Sequence, residues 1–129
     1  MLTENQIQEL KKQLDDRFSE LQEEIRSELL KSDDQHYIDL AGRVRDRGEE
    51  SVADLLVDLQ LASVDRHVQE IRDIDAAVIR IAGGRYGECV DCQSQIPVDR
   101  LKVYPTAKRC QPCQVEYERL HARRSGPSL

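Results

Sequence analysis

Apolar residues recur at alternating steps of three and four along the first part of the chain. The positions of this seam are Leu10, Leu14, Phe18, Leu21, Ile25 and Leu29. Such spacing places one apolar stripe on a single face of an α-helix, as in a coiled coil. Thr3 and Gln6 have the spacing of a capping box, which predicts that the helix begins directly after Thr3. Charges of both signs between the apolar positions indicate a solvated outer face.

A second amphipathic run extends from Ser51 to about Ala82. Its stripe contains Val57, Leu61, Val64, Val68, Ile71, Val78 and Ala82, and Leu55, Leu56, Leu59, Ile74 and Ile79 widen it. Some thirty residues of helix would make a rod of roughly 45 Å. Between the two runs, residues 35–47 carry only a short apolar set, which either extends the first helix or forms a separate one. Gly48 then breaks the pattern, so we expect a turn before Ser51.

Four cysteines lie within 25 residues as two Cys-x-x-Cys pairs, Cys89 with Cys92 and Cys110 with Cys113. Each pair provides two thiolates from one tight turn, and two pairs complete the tetrahedral set of a structural zinc site. Two disulfides or a redox-active pair are the alternative interpretations. No apolar signal stretch precedes the acidic N-terminal region, which favours a reducing compartment and therefore metal. We expect one structural zinc ion, Zn2+, in a cytoplasmic protein.

The residues around the cysteines predict a small module. Short extended pieces between the two pairs are expected to form an apolar cap over the metal, containing Ile96, Pro97, Val98, Leu101 and Val103. After the second pair, Val115, Tyr117 and Leu120 fit one side of a short C-terminal helix. His121 follows them, but four thiolates already complete the tetrahedron, so we do not expect it to bind the metal.

Two narrow apolar seams joined by one turn region predict an antiparallel helical hairpin, in which each stripe covers the other. Gly83 and Gly84 end the second helix and place the cysteine module at the base of the hairpin, beside the N-terminus. We therefore predict a mostly α protein. Residues 1–83 form a coiled-coil hairpin with its tip near residues 32–50, and residues 84–129 form the four-cysteine zinc-finger module with its C-terminal helix.

Composition and charge narrow the function classes. The net charge of −6 argues against an extensive set of phosphate contacts and favours a protein partner. Sequence-specific DNA binding is therefore not expected. No run approaches eighteen apolar residues, so we expect no membrane span, and we expect a monomer. Neither a paired nucleophile and base nor an open metal position is visible, which predicts that the protein is not an enzyme.

The cysteine pairs belong to a longer and more specific motif. Its segments are Tyr86-Gly87-Glu88-Cys89-Val90-Asp91-Cys92, Ile96, Arg100-Leu101, Pro105-Thr106-Ala107 and Cys110-Gln111-Pro112-Cys113. This motif closely resembles the zinc fingers of the DksA/TraR family. The resemblance implies a regulator that binds bacterial RNA polymerase and inserts the tip of its coiled coil into the secondary channel, through which nucleotides enter.

The resemblance also implies roles for residues of the hairpin. The family's acidic tip pattern, Asp-x-x-Asp-x-Ala, falls on Asp46, Glu49 and Ser51. Asp46 is kept, Glu49 is one methylene longer than the family's aspartate, and Ser51 replaces the alanine. Arg66 matches a basic residue on the hairpin flank that meets the rim of the polymerase.

The family's response to the alarmone ppGpp relies on three basic side chains, and the matching positions hold Asp73, Tyr104 and Gln114. A polyanion would lose its charge-assisted partners there and meet an added carboxylate. The resemblance therefore implies little dependence on ppGpp. The nearby cations that would substitute are Arg72, Lys102 and Lys108.

Two other functions stay open at this point. The first is a zinc-ribbon nucleic-acid-binding module, because local basic patches can outweigh a negative net charge. Its basic face would contain Arg100, Lys102, Lys108, Arg109 and the Arg119 to Arg124 cluster. The second is a thiol-based redox switch, in which an oxidant expels zinc and pairs the cysteines.

Overall fold

The computed structural model describes residues 2–45, residue 56 and residues 62–125, and these ranges contain five helices. The helices are α1 (Glu4–Leu30), α2 (Gln35–Arg45), α3 (Ala62–Ala82), α4 (Val98–Val103) and α5 (Gln111–Ser125). The only β-type pairing in the described ranges is an isolated antiparallel bridge between Glu88 and Gln95. No helix within them is both long and apolar enough to cross a membrane. The mostly helical class is therefore confirmed.

Helix α1 begins where the capping box predicts. The Oγ1 of Thr3 accepts a hydrogen bond from the Gln6 N–H at 3.1 Å, and the Gln6 side-chain oxygen accepts one from the Thr3 N–H at 2.9 Å. These bonds satisfy two amides that the first helical turn leaves without partners. All six predicted seam positions of α1 are buried, which confirms the apolar stripe.

The chain reverses direction between α1 and α2. The Asp34 carboxylate accepts the His36 N–H at 2.8 Å, which caps the new helix. Near the other end of α2, the Gln22 side-chain amide donates to the Val44 carbonyl at 3.0 Å. Helix α2 thus packs back along α1 and buries Leu40, Ala41 and Val44. Residues 35–45 form a separate helix, because their few apolar side chains become buried when the chain reverses and packs against α1.

Helix α3 packs antiparallel to α1, as the predicted hairpin requires. Arg17 forms a two-pronged ion pair with Glu70, with N···O distances of 2.6 and 2.9 Å, and His67 Nε2 lies 2.9 Å from a Glu24 oxygen. Residue numbers rise along α1 as they fall along α3. Each of these side chains is partly exposed, so the pairs fix the register of the two helices more than they stabilise the fold.

The buried face of α3 differs from the predicted stripe at three positions, one of which is Ala82, predicted to lie in the stripe but exposed. Val64, Val68, Ile71 and Ile74 are buried as expected, but Ile79 is 61% exposed and Ala77 is fully buried. Two residues along a helix correspond to about 200° of rotation, so Ala77 and Ile79 cannot share a face. The small Ala77 side chain faces the core, and the prediction that Ile79 widens the stripe was wrong.

Part of the predicted tip and of the second helical run lies outside the described residues. This applies to Asp46, Glu49 and Ser51, and to residues 51–61 except for the buried Leu56. The described part of the tip region, residues 31–45, does not continue the axis of α1. It folds back along α1 and ends close to Gln22.

We predict that the α1 seam carries most of the stability of the hairpin. Leu21 is fully buried, and Leu21→Ala should lower the free energy of unfolding by about 2–5 kcal/mol because it leaves a cavity. Leu30 is 44% exposed, so the control Leu30→Ala should change it by about 0.5 kcal/mol or less. Urea unfolding followed by circular dichroism measures both. Equal effects would contradict the assignment of the buried face.

Candidate metal centre

The four cysteine sulfurs converge on one point at the base of the hairpin. All four Sγ atoms lie within 4.8 Å of one another, and those of Cys92 and Cys110 are 3.7 Å apart. Thiolates about 2.3 Å from a tetrahedral zinc ion would be about 3.8 Å apart, so the spacing fits one metal ion. None of the four is in a disulfide. The cluster is a closed four-cysteine site suited to structural Zn2+, and the disulfide interpretation is not supported.

The first cysteine pair sits in a tight turn closed by backbone hydrogen bonds. The Cys89 N–H donates to the Ser94 carbonyl at 2.9 Å, and the Ile96 N–H donates to the Gly87 carbonyl at 2.7 Å. Gln93 has a φ of 62°, in the left-handed region, where the chain turns back after Cys92. Within the same turn, the Cys92 N–H donates to the Cys89 sulfur, 3.5 Å away.

The second pair is positioned by helix α5. Cys110 directly precedes the helix and Cys113 lies in its first turn, where the Gln114 N–H donates to the Cys110 carbonyl at 2.9 Å. The Val90 N–H donates to the Lys108 carbonyl at 2.9 Å and joins the two cysteine turns.

Without metal, the pKa values of Cys89, Cys92 and Cys113 are shifted, and not all in the same direction. Burial acts to raise the pKa of Cys89, but backbone amides that include that of Cys92 outweigh it and lower the pKa to about 6. The Ser94 hydroxyl, 2.8 Å from Cys92 Sγ, lowers the pKa of Cys92. Neighbouring thiols, Cys110 first, raise the pKa of Cys113. Part of the site is thus ready to bind a cation near neutral pH, and metal binding releases the remaining protons.

A small apolar cluster supports the metal centre, with α4 in place of the expected extended pieces. Its buried members are Tyr86, Cys89, Ile96, Leu101 and Ala107. Pro97 precedes α4, and its carbonyl accepts the N–H groups of Arg100 and Leu101. The prediction of extended structure was wrong for residues 98–103, where the Pro97 carbonyl accepts the first hydrogen bonds of a helix. Val103 is 83% exposed and does not belong to the cap.

Helix α5 does not bury the apolar residues assigned to its inner side. Val115 is 55% exposed and Leu120 is 46% exposed, while Tyr117 is half-buried. The ring of Tyr117 lies between the Arg109 guanidinium, 3.8 Å away, and the stacked ring of His121. His121 Nδ1 lies 2.9 Å from the Tyr117 carbonyl oxygen, and His121 is not part of the sulfur cluster.

The zinc module contacts the start of the hairpin through Leu2. A Cβ atom at Gly87 would lie 2.9 Å from Leu2 Cδ1 and 3.8 Å from Leu101 Cδ1. Gly87 also has a φ of +90°, which L side chains rarely adopt. The buried residues of the hairpin and of the module form one continuous cluster, so the two parts pack as a single body.

Residues 84–119 match the family model of the prokaryotic dksA/traR C4-type zinc finger. The module is a DksA/TraR-type zinc finger. An uncharacterized protein of Aquifex aeolicus (strain VF5) is 35% identical over 74 residues, which are 57% of this chain and 49% of that protein. An uncharacterized 8.2 kDa protein in the gpA 5' region of Escherichia phage P2 is 38% identical over 47 residues, which are 36% of this chain and 64% of that protein.

The chain spans about half the length of the Aquifex relative and less than two thirds of the phage relative. No solved structure matches it. The family model matches the zinc finger and does not extend to the hairpin.

Arg66, Asp73 and Tyr104 are not members of the sulfur cluster, and Gln114 directly follows Cys113. Arg66 is exposed on α3. Asp73 and Tyr104 line one groove together, and Tyr104 also lines a second groove with Gln114. The three positions that correspond to the family's ppGpp contacts therefore come together around Tyr104.

Two supporting residues of the zinc finger were not identified from the sequence. Ser94 contacts the Cys92 sulfur, and Asp91 forms an ion pair with Arg109 at 2.7 Å that connects the two cysteine turns. The position of Ser94, two residues after a metal-binding cysteine, could have indicated its role. The partner of Asp91 lies 18 residues away, and nothing local to Asp91 indicates it.

Loss of one zinc ligand should unfold the finger and leave the hairpin folded. Cys92→Ser is expected to abolish stoichiometric zinc, because four-thiolate binding contributes on the order of 10 kcal/mol to folding. Val90→Ala, an exposed change in the same turn, should keep the metal. Metal analysis and hydrogen exchange measure the two effects. Unchanged exchange in residues 84–125 after zinc removal would contradict a structural role for the metal.

We predict that Gly87→Ala lowers stability by about 1–3 kcal/mol, since the new Cβ meets Leu2 and φ is unfavourable. Adding Leu2→Ala should remove the clash but not the backbone strain. The double mutant should therefore be more stable than the sum of the two single-mutant effects predicts. Gly42 has open space and lies within α2, so Gly42→Ala should raise stability by about 0.5–1 kcal/mol. Thermal unfolding of the four variants tests the contact, and strict additivity would exclude it.

Proposed function

We propose that this protein is a transcription regulator that binds bacterial RNA polymerase and acts from its secondary channel. The observation that carries the proposal is the DksA/TraR-type zinc finger, whose four sulfurs form a complete metal site. The packing of this finger on the base of an antiparallel helical hairpin supports the same function. Co-purification with RNA polymerase, followed by transcription from a ribosomal promoter, tests it directly.

In this proposal, binding and regulation use different parts of the molecule. The finger and the flank of α3, where Arg66 is exposed, provide the contacts with the polymerase rim. Asp46 and Glu49 provide carboxylates that alter the charge around the metal and nucleotide site of the polymerase. Such an effect depends on distances of a few ångströms, so the extra methylene of Glu49 affects it.

Removal of the tip charges should therefore abolish regulation and preserve binding. We predict that Asp46→Asn with Glu49→Gln leaves the affinity for polymerase within about twofold, because both changes keep side-chain size and the binding contacts lie elsewhere. The effect on transcription should be lost. Asp33→Asn, an exposed acidic position in the turn after α1, is the matched control and should retain regulation.

Competition binding and transcription are measured on the same preparations. Carboxylates that merely cap a helical turn would change stability by about 1 kcal/mol or less and leave transcription unaltered. Unaltered transcription at saturating double mutant would therefore reject the role of the tip.

The surroundings of Tyr104 support regulation with little ppGpp dependence. The groove that Tyr104 shares with Asp73 has more acidic than basic side chains in its lining. The acidic residues are Asp16, Glu20, Glu70 and Asp73, and the basic residues are Arg17 and Lys102. Arg17 is already paired with Glu70. A bound polyanion would therefore meet a net negative lining. Of the three candidate substitutes, only Lys102 lines this groove.

We predict that transcriptional effects with and without ppGpp agree within about twofold, since no charge-assisted site of the family's kind is available. Direct nucleotide binding to the complex is the second measurement. A large ppGpp-dependent gain would contradict the prediction, and loss of that gain in Lys102→Gln would then identify the substitute cation.

The nucleic-acid-binding alternative receives less support from the described basic residues. Arg109 pairs with Asp91, and Arg119 pairs with Glu116 through two nitrogens. Pairing with carboxylates reduces the charge available to phosphates. Salt-dependent retention of the protein on DNA, without polymerase, would favour this alternative.

A thiol switch is compatible with polymerase binding. Cys92 is exposed, and its sulfur lies 3.7 Å from that of Cys110. Oxidation would join these sulfurs, pass two electrons to a peroxide and release zinc. Zinc release on peroxide treatment, reversed by thiol and zinc, is the observation that would support it.

A further inference from the structure

The two cysteine turns contact each other directly, in addition to sharing one metal site. The Val90 N–H donates to the Lys108 carbonyl at 2.9 Å, and the Arg109 Nε donates to an Asp91 carboxylate oxygen at 2.7 Å. These contacts link two consecutive residues of the first turn to the two residues before Cys110. The first contact joins backbone groups, whereas the second depends on the identity of both side chains.

The Arg109 side chain is held by more than its carboxylate partner. Its Cζ lies 3.8 Å from the centre of the Tyr117 ring, and the side chain is 17% exposed. Arg119 also has a partner, Glu116, but its side chain is 49% exposed and its pair lies within α5. Exposed pairs of that kind contribute little, because ordering two long side chains offsets their attraction. Packing on the ring holds the Arg109 guanidinium in place, so less entropy is lost when it bonds to Asp91.

Both members of the Asp91–Arg109 pair adjoin backbone amides that serve the metal site. The amides of Asp91, Cys92 and Cys110 interact with the Cys89 sulfur. The first two amides belong to the same turn as Cys89, whereas the third belongs to the other turn. The Cys110 N–H shares a peptide unit with the Arg109 carbonyl. The ion pair therefore keeps an amide of the second turn beside a sulfur of the first.

The first turn also carries the metal ligand that is most open to solvent. Cys92 is exposed, whereas Cys89 is buried and the other two cysteines are partly buried. Release of metal from a closed four-thiolate site begins with the loss of one ligand. A chelator reaches the Cys92 sulfur first, and movement of this turn away from the second turn breaks the ion pair.

We propose that Arg109 is a positioning residue that sets how fast the finger loses its zinc, because it holds the first cysteine turn closed through Asp91. Contacts that orient metal ligands typically change metal affinity by about 10–100-fold when they are removed. Arg109 supplies no ligand atom, so the four thiolates stay the same when it is replaced. The inference concerns the metal site alone and does not depend on binding to the polymerase.

The test measures zinc release from the full chain. Zinc-loaded protein is mixed with an excess of the chelating dye pyridylazoresorcinol, whose absorbance reports the released metal. Arg109→Gln is expected to speed release about tenfold. Arg109→Lys keeps the charge but loses the planar guanidinium, so its rate should lie between the two. The matched control Arg119→Gln removes an arginine with a carboxylate partner inside α5 and should leave the rate within about twofold. Equal rates in Arg109→Gln and Arg119→Gln would overturn the proposal.

A double-mutant cycle shows whether Arg109 acts through Asp91. Asp91→Ala should speed release by a similar factor, and the double variant should be no faster than Arg109→Gln alone. Asp91 is 47% exposed, so Asp91→Ala tests the contact even where Arg109→Gln fails to fold. An unchanged rate in Asp91→Ala, or two effects that multiply in the double variant, would contradict the proposed role.

Cobalt substitution separates positioning of the turn from loss of a ligand. Co2+ bound by four thiolates absorbs strongly through sulfur-to-metal charge transfer, and the band depends on the number of sulfur ligands. The unaltered chain and Arg109→Gln should give the same spectrum at one metal ion per chain, while their release rates differ. A weaker or shifted band in Arg109→Gln would show that the ligand set itself had changed, and it would exclude a role limited to the release rate.

Discussion

The convergence of four thiolates on one ion is the constraint on which the C-terminal module depends. That module buries few apolar side chains, and one of the most deeply buried is Cys89 itself. A cluster this small cannot offset the conformational entropy of some forty ordered residues, each of which costs on the order of 1–2 kcal/mol. The metal holds together two turns that the chain separates by seventeen residues. The conformations of Gln93 and Gly87 follow from the need to aim sulfur atoms at one point.

The hairpin folds by a different principle, and the two parts meet at Leu2. The seam of α1 is covered from two sides, by α2 and by α3, because both helices run antiparallel to it. Leu2 extends beyond the capping box and packs against Gly87 of the finger. Order in the zinc module is therefore linked to the first turn of α1. Loss of the metal should therefore affect the base of the hairpin directly, but not the residues near Gln22.

Features set by neighbouring residues could be predicted from the sequence, and features set by distant contacts could not. The capping box, the six seam positions and the four-thiolate set each depend on spacing within one element or turn. The return of α2 along α1 depends on which surface remains uncovered after α1 and α3 have packed. Similarly, Ala77 faces the core in place of Ile79, and the buried Nε of Arg80 has no hydrogen-bond partner, because of how α3 is rotated against its neighbours. For residues 98–103, Pro97 is compatible both with a helix start and with extended structure, so the sequence did not distinguish the two.

The described geometry separates the zinc module from the end of α2 by most of the length of α1. Thr3, beside the zinc module, and Gln22, beside the end of α2, are joined by nineteen residues of helix, or roughly 28 Å. Charges at this separation are largely screened by physiological salt, whose Debye length is about 8 Å. Mechanical coupling would have to pass along α1, and its buried seam changes little when an exposed charge is neutralised. A change of charge beside Gln22 and a change in the zinc module are therefore only weakly coupled through the described part of the molecule.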